Sequence, residues 1–197
     1  MIVREIDVVR GSGDIKNMAV PRAFTVRELA ELMISVSDNT ATNLVAKSVG
    51  FDEVNWNCIQ MGCVDTVFQT SIYTSMPQDR GPHNYTTAKD IAAVVKGAVA
   101  GDFLTSEGRD EFMRIMQTTI NARLSEYKDP VLHKDIITGR KGGSTVSPRV
   151  RHDGGFFILG DQAVYAAVLT KNAEPDPATA AIGLIGRRIM DYMLATN

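Results

Sequence analysis

Residues 35–43 read Ser-Val-Ser-Asp-Asn-Thr-Ala-Thr-Asn (SVSDNTATN), and they fall between two stretches with the apolar spacing of helices. Ser37, Asp38 and Asn39 compete with the backbone for hydrogen bonds, so they suit caps and turns better than a helix interior. Upstream, Thr25 and Glu28 stand at the N-cap and N3 positions of a capping box, and Leu29, Leu32, Met33 and Val36 follow at helical spacing. Downstream, a second helix is expected from near Thr40, with Ala41, Leu44 and Val45 as its apolar side. Three polar residues at such a corner either cap the second helix or present chemistry to a cleft.

The rest of the chain narrows that choice. Its 197 residues are enough for a substantial core, and 44% hydrophobic and 22% charged residues are ordinary for a globular domain. The net charge is −2 with no basic cluster, which argues against nucleic acid or an anionic membrane as partner. No run approaches the roughly eighteen apolar residues of a membrane span. The opening MIVREIDVVRGSG alternates apolar and charged residues, unlike a secretion signal. Cys58 and Cys63 lie five apart with no histidine nearby and read as buried thiols, not a zinc site or a disulfide framework. His83, His133 and His152 are scattered and show no metal-ligand spacing.

A third helix is expected over FDEVNWNCIQM, with Asp52 as N-cap. From Val64 to Tyr85 the periodicity disappears, and irregular segments of this length are often functional. Thr86 and Thr87 open a helix through AKDIAAVVKGAVA, and another is expected from about Ser106 to Thr118. GGFFILG and QAVYAAVLTK read as strands joined by a tight hairpin at Gly160-Asp161, with ITGRKGGS as a third strand. The last helix places Ile182, Ile185, Ile189 and Met193 on one face. The expected class is α+β within a single domain of residues 1–197. Its helical part covers about 24–125, and an antiparallel sheet covered by the C-terminal helix spans about 135–197.

Two segments then point the same way. Ser37-Asp38-Asn39 joins two helices, and Lys141-Gly142-Gly143-Ser144 lies on a strand much later in the chain. Together they resemble the class A β-lactamase-like branch of the penicillin-binding serine hydrolases, whose signature runs S-x-x-K, S-D-N, K-T-G in that order. TVRELAELMISVSDNTATNLV, NYTTAKDIAAVVKGAVAG, VRHDGGFF and YAAVLTKN extend the resemblance along most of the chain. It implies a β-lactamase/transpeptidase-like fold and amide hydrolysis of a β-lactam through an acyl-serine, without metal or cofactor. It also implies a compartment outside the cytoplasmic membrane.

The same resemblance suggests a role for each site residue. Ser37 passes a proton to the departing nitrogen, as a hydroxyl that both donates and accepts can. Asn39 binds the substrate amide, and Asp38 braces the loop. Lys141 offers positive charge, Gly143 lets a ligand approach the backbone, and Ser144 supplies a backbone N–H and a strand edge. Arg151, or Arg149, holds the substrate carboxylate, while His152-Asp153 leads into the next strand.

Three departures qualify that picture. Among these residues S-x-x-K occurs once, at Ser125-Glu126-Tyr127-Lys128, which is the wrong order. The chain is therefore expected to lack the nucleophile helix and the early strands of the fold, and to act poorly or not at all by itself. The segment VFQTSIYTSMPQ contains no glutamate to activate a deacylating water; Asp65 and Asp79 only flank it. Gly142 stands where the motif has Thr or Ser, deleting a hydroxyl near the substrate carboxylate. Two other readings stay open: a non-catalytic module that binds a β-lactam- or peptidoglycan-like ligand, and a fragment completed by self-association or by a partner that fills an apolar trench.

Overall fold

The structure is a computed structural model describing residues 1–72, 83–101, 103–121, 123–146 and 149–196. Asp79 and the latter part of VFQTSIYTSMPQ therefore lie outside the described residues. The backbone gathers into two compact units, Met1–Thr86 and Thr87–Asn197.

The first unit opens with a two-residue strand, β1 (Ile2–Val3), paired antiparallel with β2 (Arg22–Ala23). Strands this short leave no periodic signal, so no pattern of residues announces them. Helices α1 (Val26–Ser35), α2 (Asn39–Val49) and α3 (Phe51–Gln60) follow. The Thr25–Glu28 capping box forms: Glu28 N–H donates to Thr25 Oγ1 at 3.1 Å, and Thr25 N–H donates to Glu28 Oε2 at 2.7 Å. Val3, Ile15, Phe24, Leu29, Ala41 and Leu44 make the core here, so α1 and α2 close over the N-terminal segment.

Two helix starts differ from expectation. Helix α2 begins at Asn39, one residue before the expected Thr40, and Asp38 caps it, because its carboxylate reaches the Ala41 N–H at 2.9 Å. The cap of α3 is Gly50, not Asp52; at φ +92° it turns the chain directly from α2 into α3. Beyond α3, two asparagines pin the irregular segment. Asn55 exchanges two hydrogen bonds of 2.8 Å with the Phe68 backbone. Asn43 exchanges bonds of 2.7 and 2.8 Å with the Ile72 backbone.

The second unit contains α4 (Ala88–Ala100), α5 (Ser106–Gln117), the strands β3 (Ile137–Thr145), β4 (Val150–Leu159) and β5 (Gln162–Leu169), and α6 (Pro175–Thr196). The three strands form an antiparallel sheet in the order β3-β4-β5. Leu159 pairs with Gln162 across the two-residue Gly160-Asp161 hairpin, and Gly160 takes φ +56°. Helices α4 and α5 pack on this sheet. On the opposite face, Ile182, Met190 and Met193 of α6 join Phe157, Leu159, Leu124 and Ile136 in one core.

The buried side of α6 matches the expected face at Ile182, Ile189 and Met193, and departs from it at Ile185. Ala178, Ile182, Gly183, Gly186, Met190 and Met193 face inward, while Ile185 is exposed. Two glycines widen the inward face and rotate it away from Ile185. His133 is fully buried and staples the turn before β3 to α6: its Nδ1 accepts the Asp129 N–H at 2.9 Å, so its Nε2 donates to Asp191 Oδ1 at 3.0 Å. Among the described residues no helix is long and apolar enough to cross a membrane.

Candidate functional site

In the first unit, the site residues sit on a corner that the N-terminal segment holds rigid. Asp38 is 1% exposed, and its carboxylate accepts three backbone N–H groups. Oδ2 takes those of Asp14 (2.7 Å) and Ile15 (2.8 Å), and Oδ1 takes that of Ala41. Gly13, at φ +108°, lies against it so closely that a Cβ there would stand 2.3 Å from Asp38 Oδ2. Asn39 is buried; its Nδ2 donates to the Arg10 carbonyl at 2.9 Å, and its backbone N–H donates to the Ser12 carbonyl. The Val9 N–H donates to Thr40 Oγ1 at 3.0 Å.

These anchors place half-buried Ser37 at φ +56°, a conformation uncommon for a non-glycine residue and costly unless its surroundings impose it. The cap of α2 belongs to Asp38, and Ser37 stands at the turn just before it.

In the second unit, β3 carries Lys141, Gly142, Gly143 and Ser144 opposite Gly154, Asp153, His152 and Arg151 of β4. Lys141 is half-buried, and its Nζ donates to the Gly142 carbonyl at 2.8 Å. Burial lowers its pKa from the ordinary 10.5; Asp153 opposes that shift and Arg123 adds to it. Gly143 and Ser144 are exposed, and a Cβ on Gly143 would meet nothing within 4 Å. This is a stretch of strand backbone open to a ligand and flanked by positive charge.

Arg123, which no sequence motif marks, proves central to that charge. A Cβ on Gly142 would lie 2.5 Å from Arg123 Nη1, so the guanidinium occupies the space that a Thr or Ser side chain would take. The change to glycine therefore exchanges a hydroxyl for a cation instead of simply deleting a contact. Asp153 fixes this arrangement: it is 1% exposed, and its Oδ2 accepts the N–H groups of Arg123 and Leu124 at 2.8 Å each. Arg123 Nη1 also donates to the His152 carbonyl at 3.0 Å. Burial raises the Asp153 pKa despite those N–H groups and the nearby guanidinium groups of Arg123 and Arg140.

Other candidates are engaged elsewhere. Arg149 pairs with Glu174, and Arg151 Nη1 donates to the Val150 carbonyl at 2.9 Å. Ser125 lies in the turn segment before β3, where Lys128 Nζ donates to the Ile136 carbonyl. That bond engages the lysine of the single S-x-x-K with backbone.

Residues 1–193 match a family model described as the β-lactamase enzyme family. The chain is 30% identical over 183 residues to β-lactamase AST-1 of Nocardia asteroides, covering 88% of this chain and 57% of that protein. It thus spans just over half the length of this curated relative. Among solved structures, a β-lactamase from Sphaerobacter thermophilus superposes with a TM-score of 0.87 at 27% identity, over 98% of this chain and 72% of the other. A point mutant of PBP-A, solved as an acyl-enzyme complex with penicillin G, gives a TM-score of 0.77 at 22% identity over 98% of this chain and 71% of that one, a likeness of fold.

Proposed function

Because the chain belongs to the β-lactamase enzyme family, we propose that residues 1–197 form the substrate-recognising part of a serine acyl-transfer enzyme that takes β-lactams or related peptidoglycan-like acyl donors. The observation that carries this reading is the pair of cations, Lys141 and Arg123, set beside the open backbone of Gly143 and Ser144. A substrate carboxylate finds its counter-charge there, while the exposed strand edge offers N–H groups to the acyl carbonyl. Ser37 serves as proton relay toward the leaving nitrogen. Asn39 has its Nδ2 committed to Arg10, so its amide oxygen accepts from the substrate amide.

Acylation needs a serine activated by a neighbouring base, and the only S-x-x-K among these residues has its lysine held by backbone. On this reading residues 1–197 bind the ligand without forming an ester to it, because their one S-x-x-K lies downstream of Ser37-Asp38-Asn39, out of the family's order. VFQTSIYTSMPQ contains no glutamate, so the family's usual base for deacylating water has no counterpart in that segment, which Asp65 and Asp79 only flank. The compartment that fits this substrate class is extracytoplasmic.

Calorimetric titration with benzylpenicillin and with its methyl ester tests the reading. A hydrogen bond to a charged group contributes about 1.5–3 kcal/mol, so the free acid should bind roughly 10- to 100-fold more tightly than the ester. Arg123→Ala should remove most of that difference. Since burial lowers the Lys141 pKa, its ammonium loses its proton below the ordinary 10.5. Affinity for the acid should accordingly fall as pH rises toward that value. Equal affinity for acid and ester would overturn the proposal.

A further inference from the structure

The C-terminus of α3 places the chain's two cysteines at the two positions that a helix-ending motif brings together. Gly62 takes φ +83° just past the helix, its N–H donates to the Ile59 carbonyl, and the Cys63 N–H donates to the Cys58 carbonyl, both at 2.9 Å. These are the two hydrogen bonds of a Schellman cap, in which the side chains on either side of the longer bond commonly meet in an apolar contact. Here both are cysteines, held as thiols, with Cys63 buried and Cys58 half-buried.

Covalent geometry tightens the point. With Cys63 N at 2.9 Å from Cys58 O, standard bond lengths keep the two Cα atoms no farther apart than about 6.8 Å. That distance is the outer edge of the range a disulfide spans, about 4.4–6.8 Å. The cap therefore keeps the two Cα atoms within the upper limit of that range.

We propose that Cys58 and Cys63 form a thiol–disulfide exchange site that closes into an intramolecular disulfide with a small-molecule disulfide as oxidant. The half-buried Cys58 thiolate attacks the oxidant, forming a mixed disulfide and expelling one small thiolate. The Cys63 thiolate then attacks the Cys58 sulfur, forming the protein disulfide and expelling the second small thiolate. The two protons released by the cysteines are taken up by the two thiolates, so the oxidant is reduced by the two electrons the protein loses. The bridge closes the turn at the end of α3 covalently, across the same cap. It is independent of whether the chain binds a β-lactam.

The test is equilibration of the full chain with oxidised and reduced glutathione, followed by maleimide labelling and cyanogen bromide cleavage. Cleavage at Met61 separates Cys58 from Cys63 unless a disulfide joins them. In oxidising buffer, labelling should fall about tenfold or more relative to reducing buffer. The two fragments should stay joined until reduced, and Cys63→Ser should stop at a glutathione adduct on Cys58. Separate fragments from the oxidised wild type, whether both thiols remain labelled or carry only glutathione, would overturn the proposal. So would a disulfide found only between two copies of the chain.

Discussion

Asp38→Ala should destabilise the first unit by about 4 kcal/mol. Three backbone donors, those of Asp14, Ile15 and Ala41, point at this one buried carboxylate, and the Ile15 and Ala41 bonds are themselves buried. Each buried donor left without a partner costs about 1–3 kcal/mol, and alanine satisfies none of them. A loss of that size is comparable with the entire stability of many domains, about 5–15 kcal/mol. Asp38→Asn should lose about half as much, because an amide oxygen can keep two N–H groups while its NH₂ faces the third. Urea midpoints measure both losses, and amide exchange at positions 14, 15 and 41 locates them. A change below 1 kcal/mol in the alanine variant would mean that something else holds the corner, since 1 kcal/mol is about the least that one orphaned donor costs.

The second large effect runs against helix propensity. Gly186 lies inside α6, where alanine should gain about 1 kcal/mol over glycine. Its added Cβ, however, would stand 1.7 Å from the Leu124 carbonyl oxygen and 2.6 Å from the carbonyl carbon. Both atoms are backbone, so relief requires α6 or the 123–124 segment to move. Overpacking of this kind costs about 1–3 kcal/mol, occasionally more. We expect Gly186→Ala to lower stability by about 2 kcal/mol net, read from a thermal or urea transition. The displaced Leu124 also carries Arg123 with it, because both N–H groups bind the same Asp153 oxygen. The variant should therefore weaken penicillin binding as well. An alanine variant as stable as the parent would show that α6 does not seat against Leu124.

Those two residues also show where sequence reasoning succeeds and where it stops. The bracing role of Asp38 came with the family resemblance, while the residues alone marked a polar corner and placed the start of α2 near Thr40, one residue late. The three strands and the Gly160-Asp161 hairpin were legible because apolar β-branched runs and a two-residue turn are local signals. The buried face of α6 was legible at Ile182, Ile189 and Met193, but not at Gly183 and Gly186, which carry no hydrophobic signal and matter only for what packs on them. Arg123 was missed for a related reason. Its placement over Gly142 depends on Asp153, thirty residues away, and nothing in either neighbourhood announces the other. Cys58 was expected to be buried and is half-buried, since α3 buries no residue fully. The family resemblance, by contrast, rested on local motifs, and the match over residues 1–193 bears it out.

The most direct measurement is intact-protein mass spectrometry of the full chain after incubation with benzylpenicillin under conditions where calorimetry shows it bound. The predicted result is an unmodified mass, because the proposed reading gives these residues a recognition role and their one S-x-x-K, Ser125–Lys128, has its lysine bonded to the Ile136 carbonyl. A stable acyl adduct, on Ser125 or on any other serine, would contradict the account and identify a nucleophile that it denies.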